Sequence, residues 1–229
     1  MTVDSVLGSG YGEAKIICET MLQKPLQQYP EYFRAMVVRI GQIAGSKKCG
    51  YWNPVEHFPF LIKSSVTLQS FRIFKVTSLG SQSVDEVATT LAELLLLTSS
   101  SLSSETTPTL APYPPIYHIE NPTRQPWLEM IRALASAALD SASTTPEIIP
   151  FNQWFQRVRT ASSDIDNEYP AQEILKFFDD HFLRMACSSL IMDITYICSD
   201  SQTLAHAKAI DLSLMEKYVA TWEQMGFLP

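Results

Sequence analysis

The spacing of apolar residues near the start of the chain predicts a helix followed by a strand. The helix covers residues 12–28 and weakens at Pro25. One side of it carries Ile16, Ile17, Thr20 and Met21. Residues 34–40 read as a short buried strand, because the run is rich in β-branched side chains and Gly41 ends it.

Further along, helical and strand-like patterns alternate. Helices are predicted over 84–97, 127–142, 151–161, 171–186 and 212–225, and strands over 116–119 and 147–149. Residues 46–60 are aromatic and loop-like, and residues 98–115 form a Ser/Thr/Pro-rich stretch that predicts a flexible surface loop. The chain therefore divides into an α/β part (1–97), the loop, and a mostly helical part (116–229).

Composition narrows the class of protein. Hydrophobic residues make up 46% of the chain and the formal net charge is −7, which fits a globular protein and excludes a typical nucleic-acid binder. The longest apolar run, Leu94 to Leu97, is too short to span a membrane, and no positively charged leader precedes an apolar stretch. The sequence predicts a soluble cytoplasmic protein.

Cysteine and histidine spacing gives no sign of a metal site. The four cysteines occur without CxxC pairs, which predicts free thiols in a reducing compartment. The four histidines are dispersed, and none forms an HExxH motif. We therefore expect no bound metal.

One pair of side chains carries recognisable chemistry. Tyr11 and Lys15 lie four residues apart at the start of the first predicted helix, so both project from the same helix face. An ammonium beside a phenol favours the phenolate and allows the tyrosine to exchange a proton with a carbonyl oxygen. The alternative is a surface tyrosine beside a solvated lysine.

The surrounding sequence resembles a known family over nearly the whole chain. The stretches GYGEAKIICETML and MVVRIGQIAGSKKCGYWNPVEHFPFLIKSS are similar to the second half of extended short-chain dehydrogenases/reductases, and more narrowly to the terminal thioester reductase domains of fungal nonribosomal-peptide-synthetase-like enzymes and polyketide synthases. Later segments match in order: VDEVATTLAEL, PIYHIENPTRQPWLEMIRAL, IPFNQWFQRV, EILKFFDDHFLRMA and KYVATWEQMGFL.

The resemblance implies a partial Rossmann-type α/β fold with an α-rich substrate-binding subdomain. It also implies hydride transfer from NADPH to a thioester on the phosphopantetheine arm of an acyl or peptidyl carrier protein, with release of an aldehyde or alcohol. Tyr11 would be the general acid, and Lys15 would hold the nicotinamide ribose. Gly41 and Gln42 would approach the nicotinamide. The acyl or pantetheine entrance would be lined by Trp52, Asn53, Glu56 and His57.

The sequence departs from the family pattern at its start. The glycine-rich strand–turn–helix that binds the cofactor pyrophosphate has no counterpart, because the cluster Gly8, Gly10 and Gly12 lacks the rest of a GxGxxG motif. The family's catalytic serine or threonine is not found either. We therefore expect the chain by itself to bind NADPH weakly or not at all.

Two hypotheses remain open. In the first, the chain is the catalytic-helix and substrate-binding portion of an NADPH-dependent thioester reductase. In the second, it is a cofactor-free remnant that binds acyl chains or carriers, or a non-redox enzyme that uses Tyr11 as acid/base. A carrier would meet a local positive patch of Lys47, Lys48, Lys63 and Arg72. An open sheet edge would favour a homo-oligomer.

Overall fold

The structure, a computed structural model, describes residues 10–29, 31–33, 35–73, 80–100, 115–138, 147–161, 175 and 191–229. Its helices are α1 (Gly10–Gln28), α2 (His57–Thr67), α3 (Val84–Ser100), α4 (Trp127–Ala138), α5 (Phe151–Thr160), α6 (Thr195–Asp200), α7 (Gln202–Ala205) and α8 (Leu212–Gln224). Its strands are β1 (Val37–Ile40), β2 (Ile43–Ala44), β3 (Ser70–Ile73), β4 (Gln82–Ser83), β5 (Ile116–Ile119) and β6 (Glu147–Pro150). Within these ranges, no helix is long and apolar enough to cross a membrane.

The described strands form three parallel pairs, which is the arrangement expected of an α/β fold. β1 pairs with β5, β2 with β4, and β3 with β6. In the first pair Val37 lies opposite Ile116, and in the second Ile43 lies opposite Gln82. Each pair joins strands that are far apart in sequence, so helices or long connections must link them.

Two hydrophobic clusters hold these elements together. The larger cluster packs α2, α4, α5 and α8 around β3 and β6, and Leu61, Trp154 and Trp222 are among its fully buried side chains. The smaller cluster packs α3, α6 and α7 against β1 and β5, with Tyr117 and Ile119 at its centre. Each cluster contains residues that precede the predicted loop 98–115 and residues that follow it.

Helix ends are satisfied locally by short polar side chains. The Asp211 carboxylate accepts the Leu214 N–H at the start of α8, and the Ser201 hydroxyl accepts the Leu204 N–H at the start of α7. At the start of α3, the Ser83 hydroxyl donates to the Glu86 carboxylate and accepts the Glu86 N–H. These contacts explain why the three helices begin where they do.

A tightly packed turn joins β2 to α2. The Tyr218 hydroxyl donates to the Gly45 carbonyl at 2.8 Å, and the Trp222 indole N–H donates to the Trp52 carbonyl at 2.9 Å. A Cβ at Gly45 would lie 2.6 Å from the Trp52 Cβ and 2.8 Å from the Tyr218 ring. Gly50 has φ +74°, a backbone conformation that favours glycine. Only glycines allow the chain to approach α8 this closely.

Most of the predicted long elements are confirmed, with boundaries shifted by a few residues. The structure confirms strands at 116–119 and 147–150 and helices α1, α3, α4, α5 and α8. The described cysteines Cys18, Cys49 and Cys198 are free, as expected. The predicted helix 171–186 lies outside the described residues except for residue 175. Of the predicted loop 98–115, residues 98–100 continue α3 and residues 101–114 lie outside the described part.

Two predictions about local structure are wrong. Residues 57–60, predicted as loop, begin α2, whose aromatic and proline-containing first turn hid its helical pattern. The strand predicted as buried, β1, is only half-buried, and Ile40 at its end is exposed. The predicted helix α1 forms, but Ile17 and Met21 on its apolar side are exposed and no residue of this helix is buried. α1 is instead tied to β1 by an ion pair between Glu19 and Arg39.

Gln82 on β4 is a buried side chain that forms no hydrogen bond with the described part of the chain. It is 2% exposed, and neither its amide nitrogen nor its amide oxygen has a partner among the residues that the structure describes. Its strand partner Ile43 packs against the smaller cluster, and paired residues on neighbouring strands share a face. The amide therefore lies against apolar side chains, where an unsatisfied polar group costs about 1–3 kcal/mol.

We predict that Gln82→Met raises the free energy of unfolding by about 1–2 kcal/mol, because it replaces the unsatisfied amide with an apolar chain of similar shape. Urea unfolding followed by fluorescence measures this change. The matched control is Gln42→Met, since the Gln42 amide donates to the Ile43 carbonyl and its loss should bring no gain. A stability of Gln82→Met below that of the wild type would contradict the prediction.

We predict that Gly45→Ala lowers the free energy of unfolding by about 3 kcal/mol, because the added methyl group has no room between Trp52 and Tyr218. Gly10→Ala is the control, because a Cβ at Gly10 meets nothing within 4 Å. Thermal and urea unfolding of both variants test the prediction. Equal stability of the two variants would show that the turn tolerates a side chain.

Candidate functional site

A break in strand pairing lies between β1 and β2. The Gly41 N–H donates to the Ile119 carbonyl at 2.8 Å and so extends the pairing with β5. One residue later, the Gln42 carbonyl accepts the Gln82 N–H at 3.1 Å, so the chain now pairs with β4. Ligands of open α/β sheets bind beyond the carboxyl ends of strands. Gly41 and Gln42, which the sequence analysis names as candidates, lie directly after the carboxyl end of β1.

Asn121 fixes the neighbouring strand ends. It lies two residues after the end of β5, and its side chain is buried. Its amide nitrogen donates to the carbonyls of Ser81 and Lys208, and its amide oxygen accepts the Thr123 N–H. These hydrogen bonds hold together three segments: the residue before β4, the residues after β5, and the turn at 207–208.

The face of the β1–β5 pair that carries α1 is polar. Arg39 and His118 lie opposite each other on this pair, and Glu120 follows His118 by two residues. Arg39 donates to both carboxylate oxygens of Glu19 on α1, at 2.9 and 3.1 Å. The opposite face carries Tyr117 and Ile119 and belongs to the smaller cluster.

Tyr11 and Lys15 meet at the start of α1. The Lys15 ammonium nitrogen lies 5.2 Å from the centre of the Tyr11 ring, within the range of a cation–π contact. The Tyr11 side chain is 76% exposed, so its hydroxyl is open to a ligand. The geometry agrees with the spacing argument, although the ammonium lies over the ring in this structure.

The ion pair with β1 fixes α1 at Glu19, and the Tyr11–Lys15 pair lies at the exposed start of the same helix. About 12 Å of helix separates Tyr11 from Glu19, at 1.5 Å per residue. In α/β folds a helix runs antiparallel to the strand that follows it, and this rule predicts that the start of α1 lies towards Gly41.

Glu120 is a charged residue directly after the end of β5. It forms an ion pair with Arg124 at 2.7 Å, and its other carboxylate oxygen accepts the Met192 N–H at 2.9 Å. Gly80 leaves room for it, since a Cβ there would lie 2.8 Å from the Glu120 Cγ. Sequence reasoning missed Glu120, although its position directly after the predicted strand 116–119 was a usable signal.

The residues predicted at an acyl or pantetheine entrance occupy different environments. Trp52 is 5% exposed, stacks on Phe58 with 4.7 Å between ring centres, and is a core residue. Glu56 accepts the Trp52 indole N–H at 3.1 Å and is half-buried. Asn53 is exposed and His57 half-buried. An entrance role stays a prediction, with Asn53, Glu56 and His57 the accessible members.

The predicted positive patch is divided by internal contacts. Lys47 pairs with Glu86, and its main-chain N–H donates to Asp85. Burial opposes ionisation of Asp85, but this bond and one from the Ser46 hydroxyl outweigh it and lower the pKa of Asp85. Lys48 is exposed, whereas the Lys63 ammonium lies 4.9 Å from the centre of the Phe227 ring. The Arg72 side chain lies outside the described residues.

Binding of one end of a dinucleotide cofactor by Tyr11, Lys15 and Gly41 stays a prediction. Tyr11 and Lys15 are exposed, whereas the Cα of Gly41 is covered: a Cβ there would lie 3.4 Å from the Ile119 carbonyl oxygen and 3.4 Å from the Met192 methyl carbon. Among the described residues, no set of three or more His, Cys, Asp or Glu side chains is arranged to hold a metal ion.

The amino-acid sequence is similar to one part of several much longer fungal proteins. It is 50% identical over 228 residues to citrinin polyketide synthase of Monascus ruber, 46% identical over 230 residues to non-reducing polyketide synthase epaA of Aspergillus niger, and 44% identical over 228 residues to non-reducing polyketide synthase pks11 of Talaromyces marneffei. Each match covers 100% of this chain but 8% of the relative. No protein-family model matches the chain.

A solved structure shares the fold. The chain superposes over its full length on 52% of the terminal R domain from the myxalamid PKS-NRPS biosynthetic pathway, with a TM-score of 0.74 and 19% identity. The relatives confirm the resemblance to fungal polyketide synthases, and the solved structure confirms the expected mixture of helices and strands. The family half to which the chain corresponds and the roles of its site residues stay predictions.

Proposed function

We propose that the chain is the catalytic-helix and substrate-binding portion of a thioester reductase that releases a carrier-bound acyl chain. The observation that carries this proposal is the pairing of Tyr11 with Lys15 at the start of α1, in a chain with the fold of a terminal R domain. The strand break at Gly41 supports it, because it supplies a ligand position on the face covered by this helix.

Reduction of a thioester to an aldehyde adds a hydride to the carbonyl carbon and a proton to its oxygen, and then breaks the C–S bond to release the pantetheine thiol. NADPH would supply the hydride. Tyr11 would donate the proton to the oxygen as negative charge develops there. The Lys15 ammonium would favour the resulting phenolate. A second reduction would give an alcohol.

Lys15, Gly41 and Gln42 would hold the nicotinamide end of NADPH. Gly41 and Gln42 suit this role because they follow the carboxyl end of β1, where ligands of open α/β sheets bind. The pyrophosphate would need backbone N–H groups of a glycine-rich turn, for which the sequence offers no counterpart. We therefore propose that NADPH binding by this chain alone is weak.

An acyl or peptidyl carrier protein is the proposed partner, and the chain would act beside it within a multidomain synthase. The relatives, named as polyketide synthases, support this context. A second candidate function is an acyl- or carrier-binding module without hydride transfer; it is supported by the position of the Lys15 ammonium, which lies over the Tyr11 ring. A non-redox reaction with Tyr11 as acid/base belongs to the same candidate.

We predict that Tyr11→Phe lowers turnover of an acyl-N-acetylcysteamine thioester by about a hundredfold or more, because it removes the proton donor. NADPH oxidation and aldehyde formation measure turnover, with NADPH at millimolar concentration to offset weak binding. Lys15→Met should also reduce turnover. Tyr32→Phe is the control, since Tyr32 is exposed and lies outside the motif.

Near-wild-type turnover by folded Tyr11→Phe would overturn the acid role. If the wild-type chain binds the thioester but never oxidises NADPH, the second candidate function is the better one. Thermal unfolding of each variant shows whether a loss of turnover has a structural origin.

We predict that Lys48→Glu weakens binding of an acidic acyl carrier protein about two- to fivefold and reduces the salt dependence of binding, as expected for one exposed charge. Lys48 is preferred to Lys47, whose reversal would also break the pair with Glu86. Lys208→Glu is the control because Lys208 is also exposed. Equal affinities of the two variants at low salt would contradict a carrier contact at Lys48.

A further inference from the structure

Residues 191–194 cross the carboxyl end of the β1–β5 pair. The Met192 N–H donates to Glu120, and the Asp193 carbonyl lies 3.0 Å from the His118 Nδ1. His118 and Glu120 are two residues apart and so project from the same side of the β5 chain. This side also carries Arg39, which binds α1. The 192–193 backbone is therefore fixed on the face of the candidate site.

The Met192 side chain ends beside Gly41. A Cβ built on Gly41 would lie 3.4 Å from the terminal methyl carbon of Met192 and 3.8 Å from the Glu120 Cβ. Gly41 directly follows β1, and the strand partner changes one residue later, at Gln42. A ligand that reaches the Gly41 backbone would therefore touch the methionine methyl group.

Met192 is an apolar side chain among groups that are mostly charged, since Arg39, Glu120 and Arg124 surround the same strand ends. The Met192 side chain is half-buried. Methionine is flexible and polarisable, and it adapts to apolar groups of different shape. Met192 therefore provides an apolar contact in the candidate site.

We propose that Met192 is a specificity-determining residue that contacts the apolar acyl group of a thioester at the carboxyl end of β1. This inference rests on the proposed function and names the part of the substrate that the chain recognises. The carbonyl end lies towards Tyr11, and the first carbons of the acyl chain lie against Met192.

Glu120 is the positioning residue for Met192. Its side chain is 12% exposed and is held by Arg124, by the Met192 N–H and by the close approach of Gly80. It acts on the substrate only through the 192–193 backbone. Glutamine in its place keeps an oxygen that accepts the Met192 N–H, whereas alanine does not.

The test compares two probes, acetyl- and hexanoyl-N-acetylcysteamine thioester, by calorimetric titration of the full chain. We expect the wild type to prefer the hexanoyl probe and Met192→Ala to lose about tenfold of that preference, with little change for the acetyl probe. Met192→Leu should keep most of the preference. Met225→Ala, at an exposed methionine near the C-terminus, should match the wild type.

A second measurement separates contact from folding. In protein labelled with ¹³C at the methionine methyl groups, the Met192 resonance, assigned by its loss in Met192→Leu, should shift with the hexanoyl probe and much less with the acetyl probe. Glu120→Ala should lose the hexanoyl preference while Glu120→Gln keeps it, at matched thermal stability.

The outcomes distinguish this inference from the function on which it rests. If both thioesters bind but the Met192 resonance stays in place and Met192→Ala keeps the wild-type preference, the role of Met192 is overturned and the proposed function stands. If neither thioester binds the folded wild-type chain, the proposed function is overturned together with the inference.

Discussion

The close approach of residues 45–52 to helix α8 is the constraint on which the rest of the structure depends. Two glycines, Gly45 and Gly50, leave space that Tyr218 and the backbone of α8 fill. The buried hydrogen bonds from Tyr218 and Trp222 satisfy carbonyls that would otherwise be lost to water. Since the same turn ends β2 and leads into α2, its position sets both the sheet break and the aromatic core.

The same turn also connects the C-terminal helix to α3. Asp85, in the first turn of α3, accepts bonds from the Ser46 hydroxyl and the Lys47 N–H, while the Lys217 ammonium donates to the carbonyls of Lys47 and Lys48. These bonds involve charged groups and are stronger than neutral ones. The two hydrophobic clusters are thereby joined by a polar contact, and the strand ends between them are held in place.

The candidate site combines rigid and lightly packed elements. Its floor is the strand break at Gly41, with Asn121 and Glu120 fully engaged in hydrogen bonds or ion pairs. Tyr11 and Lys15 lie on α1, which has no buried residue and is tied to β1 through Glu19 and Arg39. Buried polar groups rigidify the floor. The start of α1, in contrast, leaves Tyr11 exposed to solvent.

Features that depend on near neighbours follow from the amino-acid sequence. Helical periodicity predicted the longer helices, a β-branched run predicted β1, and a spacing of four residues placed Tyr11 beside Lys15. The site roles of Gly41 and Gln42 came from the family resemblance and stay predictions. The local predictions succeed because backbone geometry follows from residues a few positions away.

Tertiary structure alone decided the rest. The two-residue strands β2 and β4 exist because their backbones meet, and no pattern of two residues could predict them. Distant segments of the chain decide whether a side chain is buried, exposed or paired. Trp52 is buried, Met21 is exposed, and Lys47 forms an ion pair with Glu86 for this reason. For the same reason, the Met192 side chain lies beside Gly41 although the two residues are far apart in sequence. Packing between distant segments chooses among faces that local periodicity leaves equivalent.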